Sequence, residues 1–135
     1  MSWFFPSFIA LLLWTVWGIL PKFSTHHLST PSVFVYQSLG GLAIGFIVLA
    51  SIHFKPEYHP QGALFAFFTG AVGFAGGLAY VYAITKGPLP LISVTTALYP
   101  GLVVLISYFA FNEPLTLKQA IGIALGFISV LLMCS

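Results

Sequence analysis

The sequence predicts an all-α membrane protein of five transmembrane helices, and three observations lead there. First, its 135 residues are 59% hydrophobic and 17% aromatic but only 4% charged, too few charges to cover a water-facing surface. Second, apolar runs with lysines and glutamates only in the joints or at the ends occupy residues 3–20, 33–54, 62–85, 89–111 and 117–134, each close to the ~20 residues that cross a ~30 Å hydrocarbon core. Third, every joint between runs contains proline, which cannot donate a backbone hydrogen bond and steers the preceding residue out of a helix. The runs are apolar on all sides, whereas barrel strands alternate in polarity, so helices are predicted.

The first run differs from a secretory signal: Trp14 and Trp17 sit late in it, no basic segment precedes it, and no small-x-small cleavage site closes it. It is read as a retained span. The joint "PKFSTHHLSTP" leads to the second run, "KPEYHP" to the third, "KGPLP" to the fourth and "NEPLT" to the fifth. These joints are too short for an extramembrane domain or for a basic, aromatic platform that could hold nucleic acid. Gly41 and Gly45, Gly73 and Gly77, and Gly122 and Gly126 each lie four apart, a spacing read as close-packed helix seams. The single cysteine, Cys134, can form no internal disulfide and is expected to be inert at the end of the last span.

Five spans put the two termini on opposite sides. Lys22 and Lys86 then fall on one side, Lys55 and Lys118 on the other, and the chain has no arginine. The cytoplasmic excess of positive charge that normally fixes orientation is absent, so insertion in both orientations is expected.

The third to fifth runs, "GLAYVYAITKGPLPLISVTTALYPGLVVLISYFAFNEPLT" followed by "QAIGIALGFISVLLM", resemble the EamA-type module of the drug/metabolite transporter superfamily. The matching points are Trp17-Gly18, the Tyr-rich end of the third run with Lys86-Gly87-Pro88, and "ALYP" at Ala97 to Pro100. They continue with Asn112-Glu113-Pro114-Leu115-Thr116, in place of the usual Leu-Gly-Glu-Arg-Leu, and with the last span around Gly122. The resemblance implies a transporter built on inverted repeats, in which two five-helix halves of opposite orientation enclose a substrate cavity. One half alone implies an antiparallel homodimer or pairing with a second half-transporter, and the balanced lysines favour the homodimer. A multi-pass location in a prokaryotic plasma (inner) membrane is the corresponding expectation.

The chain departs from the family pattern in two places. Gln37 stands where such modules often carry an arginine, which argues against recognition by a fixed buried positive charge. The small multidrug-resistance relatives couple protons through a glutamate in the first helix, and "FIALLLWTVWGIL" has no acid.

The candidate cavity-lining, substrate-binding residues are Trp14, Trp17, Tyr80, Lys86, Thr96, Tyr99 and Pro100. Pro100 removes a helical donor and displaces the carbonyl of Thr96; a freed group in lipid must find a partner or line a wet cavity. Thr96, Tyr99 and Val103 share a face at helical spacing, which is aimed at the cavity, while the alternative is a static kink with hydroxyls bonded to their own helix. Lys86 either meets the negative end of the third helix, or contacts an anion at the cavity mouth. Trp14 and Trp17, stacked against Tyr80, would make an aromatic wall for a flat or cationic solute, or else pack as core.

His26, His27, His53 and His59 lie in or beside joints; no acid or cysteine stands beside His26-His27 to complete a metal site, and all four are expected to be exposed loop histidines. Glu57 and Glu113 are expected at the interface. No span carries an ionisable group at its centre, so no proton relay is legible. No catalytic set is present either, and neither an enzyme nor a cofactor is expected. Two functions fit: a transporter moving a small solute by alternating access as an antiparallel dimer in the lipid bilayer, and a non-transporting subunit that binds lipid or stabilises a membrane partner.

Overall fold

The computed structural model describes residues 3–112 and 114–134, so the expectation for Glu113 lies outside the described residues, as does that for the side chain of Cys134. The helices are α1 (Phe4–Ser24), α2 (Thr30–Ser51), α3 (Pro60–Lys86), α4 (Leu89–Thr96), α5 (Tyr99–Phe111) and α6 (Leu117–Cys134), with no strand among the described residues. The chain is an all-α membrane protein. Four segments are long and apolar enough to cross a bilayer, the fourth being Leu89–Phe111, which contains α4 and α5. At 18 residues α6 is shorter; its ~27 Å is just under the hydrocarbon thickness. Leu12, Phe67, Phe109 and Leu131 are among many large apolar side chains left exposed, a surface that only lipid or another apolar partner tolerates.

The boundaries move from those read in the sequence, and each shift has a local cause. Helix α1 continues through Pro21 to Ser24; the ring of Pro21 disturbs only the carbonyl four residues back, and Tyr80 donates a 2.9 Å hydrogen bond to the adjacent carbonyl of Gly18. Helix α2 starts earlier, with proline in its first turn where the missing N–H is not needed. It also stops earlier, at Ser51. There His53 and Phe54 turn left-handed, with φ of 54° and 57°. Their N–H groups return to the carbonyls of Ala50 and Leu49, satisfying two C-terminal acceptors.

Helix α3 opens on Pro60, and the Nδ1 atom of His59 accepts a 3.3 Å hydrogen bond from the N–H of Gly62. His59 is thus solvent-facing, as expected, and also a helix cap. Its 27 residues span ~40 Å, more than the hydrocarbon needs. Helix α6 is opened by a capping box that the sequence reading missed: Gln119 Oε1 accepts from the N–H of Thr116 at 2.9 Å and pairs with its hydroxyl at 2.8 Å.

Two compact units make up the chain, Met1–Lys86 and Gly87–Ser135. In the first, α1 and α2 both pack on α3. Its buried residues are Pro21 late in α1, Val33 early in α2, and Gly77, Tyr80, Val81 and Ile84 late in α3, so this core sits at one end of the unit. The Nζ of Lys22 donates a 3.0 Å hydrogen bond to the carbonyl of Ile84, which brings the joint after α1 and the end of α3 to the same side. In the second unit α6 packs against α4. A Cβ on Gly101 would lie 3.3 Å from Phe127 and 3.5 Å from Ile123, so glycine permits that close approach of α5 and α6.

The predicted glycine seams are only half realised. A Cβ on Gly41 would meet the ring of Phe74 at 2.9 Å, and Gly77 lies against Trp17, Phe34 and Gln37, whereas Gly45, Gly73, Gly122 and Gly126 face open space. Gly101, outside all three pairs, is a contact glycine instead.

Candidate functional site

The first unit holds a cleft of about 230 Å³ lined by Trp17 from α1, Phe34 and Gln37 from α2, and Thr69, Gly70, Gly73, Phe74 and Gly77 from α3. Its formation follows from side-chain size. Glycines at 70, 73 and 77 remove three side chains from one strip of α3, and the aromatic residues of α1 and α2 stand around the space left. The rings of Phe34 and Phe74 meet edge to face at 6.0 Å.

Behind the cleft, the rings of Trp17 and Tyr80 stack at 5.4 Å with an interplanar angle of 28°. The stack is fixed at one end by the hydrogen bond from the Tyr80 hydroxyl to Gly18. Half of the aromatic wall read from the sequence is therefore formed. Trp14 is 61% exposed and makes no ring contact among the described residues; three residues of helix rotation carry it off the Trp17 side.

Gln37 is the polar feature of the cleft. Its Oε1 is buried and has no hydrogen-bond partner among the described residues. The cleft carries no charge, because no lysine, histidine or acid lines it.

Lys86 is exposed, and its ammonium lies over the ring of Tyr82, 5.5 Å from the centroid. Lys86 is the basic residue of the last turn of α3, and Lys22, whose side chain reaches the carbonyl of Ile84, brings a second cation to the same helix end. That carbonyl is one of the last four of α3, which have no acceptor role inside the helix. The sequence signal for this role of Lys22 is its place just past Pro21, at the end of a span.

In the second unit the span 89–111 breaks at Ala97-Leu98, between Pro100 and the Thr96 carbonyl that it displaces. Pro100 stands in the first turn of α5, a position that suits a restarted helix. The hydroxyl of Thr95 bonds the carbonyl of Leu91 at 2.8 Å, and that of Thr96 bonds the carbonyls of Ile92 and Ser93 at 2.9 and 3.0 Å. These are bonds back to the same helix. Thr96, Tyr99 and Pro100 are all exposed. A groove of about 470 Å³ runs on another side of this unit, along Ala97, Leu98, Gly101, Gln119, Gly122 and Phe127, and none of the three lines it. The candidate residues thus fall into two groups, Trp17 with Tyr80 in one unit and Thr96, Tyr99 and Pro100 in the other.

Among the described residues no three histidines, cysteines or acids gather as a metal site. What the first cleft offers is an apolar, aromatic space with one amide, suited to holding a flat solute. Gln37 does more than stand in place of an expected arginine. It could have been found as the one side-chain amide more than a turn inside any span, since Gln61, Asn112 and Gln119 all lie at span ends.

Comparison with protein families gives one match: the model of the EamA-like transporter family covers residues 1–135. No curated protein and no solved structure matches the chain.

Proposed function

Because the chain belongs to the EamA-like transporter family, we propose that it moves a small solute across the membrane by alternating access, as two five-helix modules of opposite orientation around a shared path. The family match over the whole chain carries this reading. The broken fourth span supports the alternating-access part, since a helix interrupted at Ala97-Leu98 supplies a joint within the bilayer. The two-and-two division of lysines supports opposed orientation. In this reading Trp17, Tyr80, Thr96, Tyr99 and Pro100 face the solute path, Trp14 lines it from the paired module, and Lys86 stands at its mouth. The membrane is a prokaryotic plasma membrane.

The test is labelling of single cysteines placed between Lys55 and Pro60, in protein whose Cys134 has been replaced, with a membrane-impermeant reagent applied from either side. Comparable labelling from both sides is expected. Labelling from one side only would remove the antiparallel homodimer and leave pairing with a separate half. A second reading, a non-transporting subunit that receives a partner helix, is favoured by Gly122 and Gly126, which face open space in the groove of the second unit. Stable capture of another membrane protein, without solute exchange in liposomes, would select it.

A further inference from the structure

From the cleft of the first unit we infer the substrate class, resting on the transport reading above: an uncharged, planar solute of one or two rings with a carboxamide-like edge, recognised by Gln37. Four observations converge on it. The Gln37 amide lines the cleft, yet its Oε1 is buried and without a partner among the described residues. A polar group at that depth is ordinarily paired. An amide offers a donor and an acceptor side by side; once a turn of the side chain brings Oε1 out to the cleft, the group that satisfies both is another amide-like edge.

Second, no ionisable side chain lines the cleft. A cation or anion entering it would lose its hydration with no opposite charge to replace it, which is the costliest way to fill an apolar site. Third, the walls are rings: Trp17, held by its stack on Tyr80, and the edge-to-face pair of Phe34 and Phe74. Such walls take a flat solute face-on or edge-on. Fourth, the cleft measures about 230 Å³, below the ~300 Å³ where pockets for drug-sized ligands begin.

The other occupants of a membrane cleft answer the amide less well. A lipid acyl chain has no polar atom to offer. A helix from a second copy has its backbone N–H groups already used within the helix.

Equilibrium binding tests the assignment, with purified protein in phosphatidylcholine nanodiscs and radiolabelled nicotinamide, uracil and benzamide as neutral probes. Nicotinate and 1-methylnicotinamide serve as anionic and cationic counterparts on the same ring. Saturable binding of at least one neutral probe is expected, with both charged counterparts weaker by about tenfold or more. Gln37→Leu, which keeps the bulk and removes the polar edge, should weaken the neutral probe by about tenfold. Gln37→Glu should reverse the order in favour of 1-methylnicotinamide, a gain that a misfolded variant cannot produce. If no neutral probe binds, if charged and neutral probes bind alike, or if Gln37→Leu binds nicotinamide unchanged, the assignment is overturned. Counterflow in liposomes separates this from the transport reading. Binding in the expected order without exchange of any solute would sink transport and leave recognition standing, and exchange that ignores Gln37 would do the reverse.

Discussion

At the scale of single residues, the first unit is organised by two side chains that cross from one helix to another. Tyr80 reaches Gly18 and Lys22 reaches Ile84, so α1 and α3 are pinned at two points along the same end. Interhelical hydrogen bonds within membranes contribute about 0.6 kcal/mol on average, less than burial in lipid would suggest, because the unfolded chain finds partners too. Tyr80→Phe should therefore lower stability by about 0.6 kcal/mol in a denaturant titration in bicelles, and Tyr80→Ala by several times that, since the stack on Trp17 is lost as well. Equal losses in the two variants would mean that the hydrogen bond, not the ring, holds the helices. If the exposed face of the second unit is on the solute path, Thr96→Ala and Tyr99→Ala should slow uptake at least about tenfold relative to His26→Ala, a loop control. His59 is unsuited as that control because it caps α3. Residue by residue, the sequence disclosed the Trp17 and Tyr80 pairing through aromatic spacing, but not the reach of Lys22, since a long side chain on one helix gives no sign of which carbonyl it will find. Nor did it separate Trp14 from Trp17. Three residues of helix differ by ~60° from a full turn, and which side of that angle meets a neighbour is decided by packing.

At the scale of the element, all five spans were legible because lipid imposes length and apolarity directly. Their ends were less so, since caps at His53, His59 and Thr116 work through local hydrogen bonds that hydropathy does not register. The left-handed turn at His53 and Phe54 carries a cost that the chain need not bear, because a non-glycine residue at positive φ is disfavoured by roughly 1–2 kcal/mol. His53→Gly should raise stability by up to about 1 kcal/mol, the remainder being offset by the greater freedom of glycine in the unfolded chain. A fall in stability would show that the His53 side chain contributes something beyond the turn. The break between α4 and α5 was half legible. Pro100 marked it, but the helix stops already at Thr96 and restarts at Tyr99, because proline is at home in a first turn and the threonine hydroxyls compete for the carbonyls just upstream. Pro100→Ala returns an N–H to the carbonyl of Thr96. The expected result is a continuous span of higher stability and slower solute exchange, measured side by side in the same liposome preparation. Higher stability with unchanged exchange would reduce the break to a static kink.

At the scale of the whole molecule, the decisive quantity is small: four lysines, which the five-span reading divides two and two about the membrane. Each juxtamembrane lysine biases orientation through the positive-inside rule, and with no excess on either side one or two added charges should decide the outcome. Lysines introduced at Thr25 and His26 enlarge the set on the side of Lys22 and Lys86. Lysines introduced at Tyr58 and His59 enlarge the opposite set, and Gln61→Lys can replace the second where the cap on α3 must be kept. If the working unit is an antiparallel pair, each biased variant alone should insert one way and lose nearly all transport, because no opposed module remains to close the path. Expressed together, the two variants should restore exchange to about the parental rate, since every complex then contains one module of each orientation. A unit that works with parallel modules, or singly, predicts the contrary: each biased variant stays active and mixing adds nothing. The design is sensitive because both variants carry the same change in net charge, so a loss caused by charge itself would persist on mixing, whereas a loss caused by orientation would not.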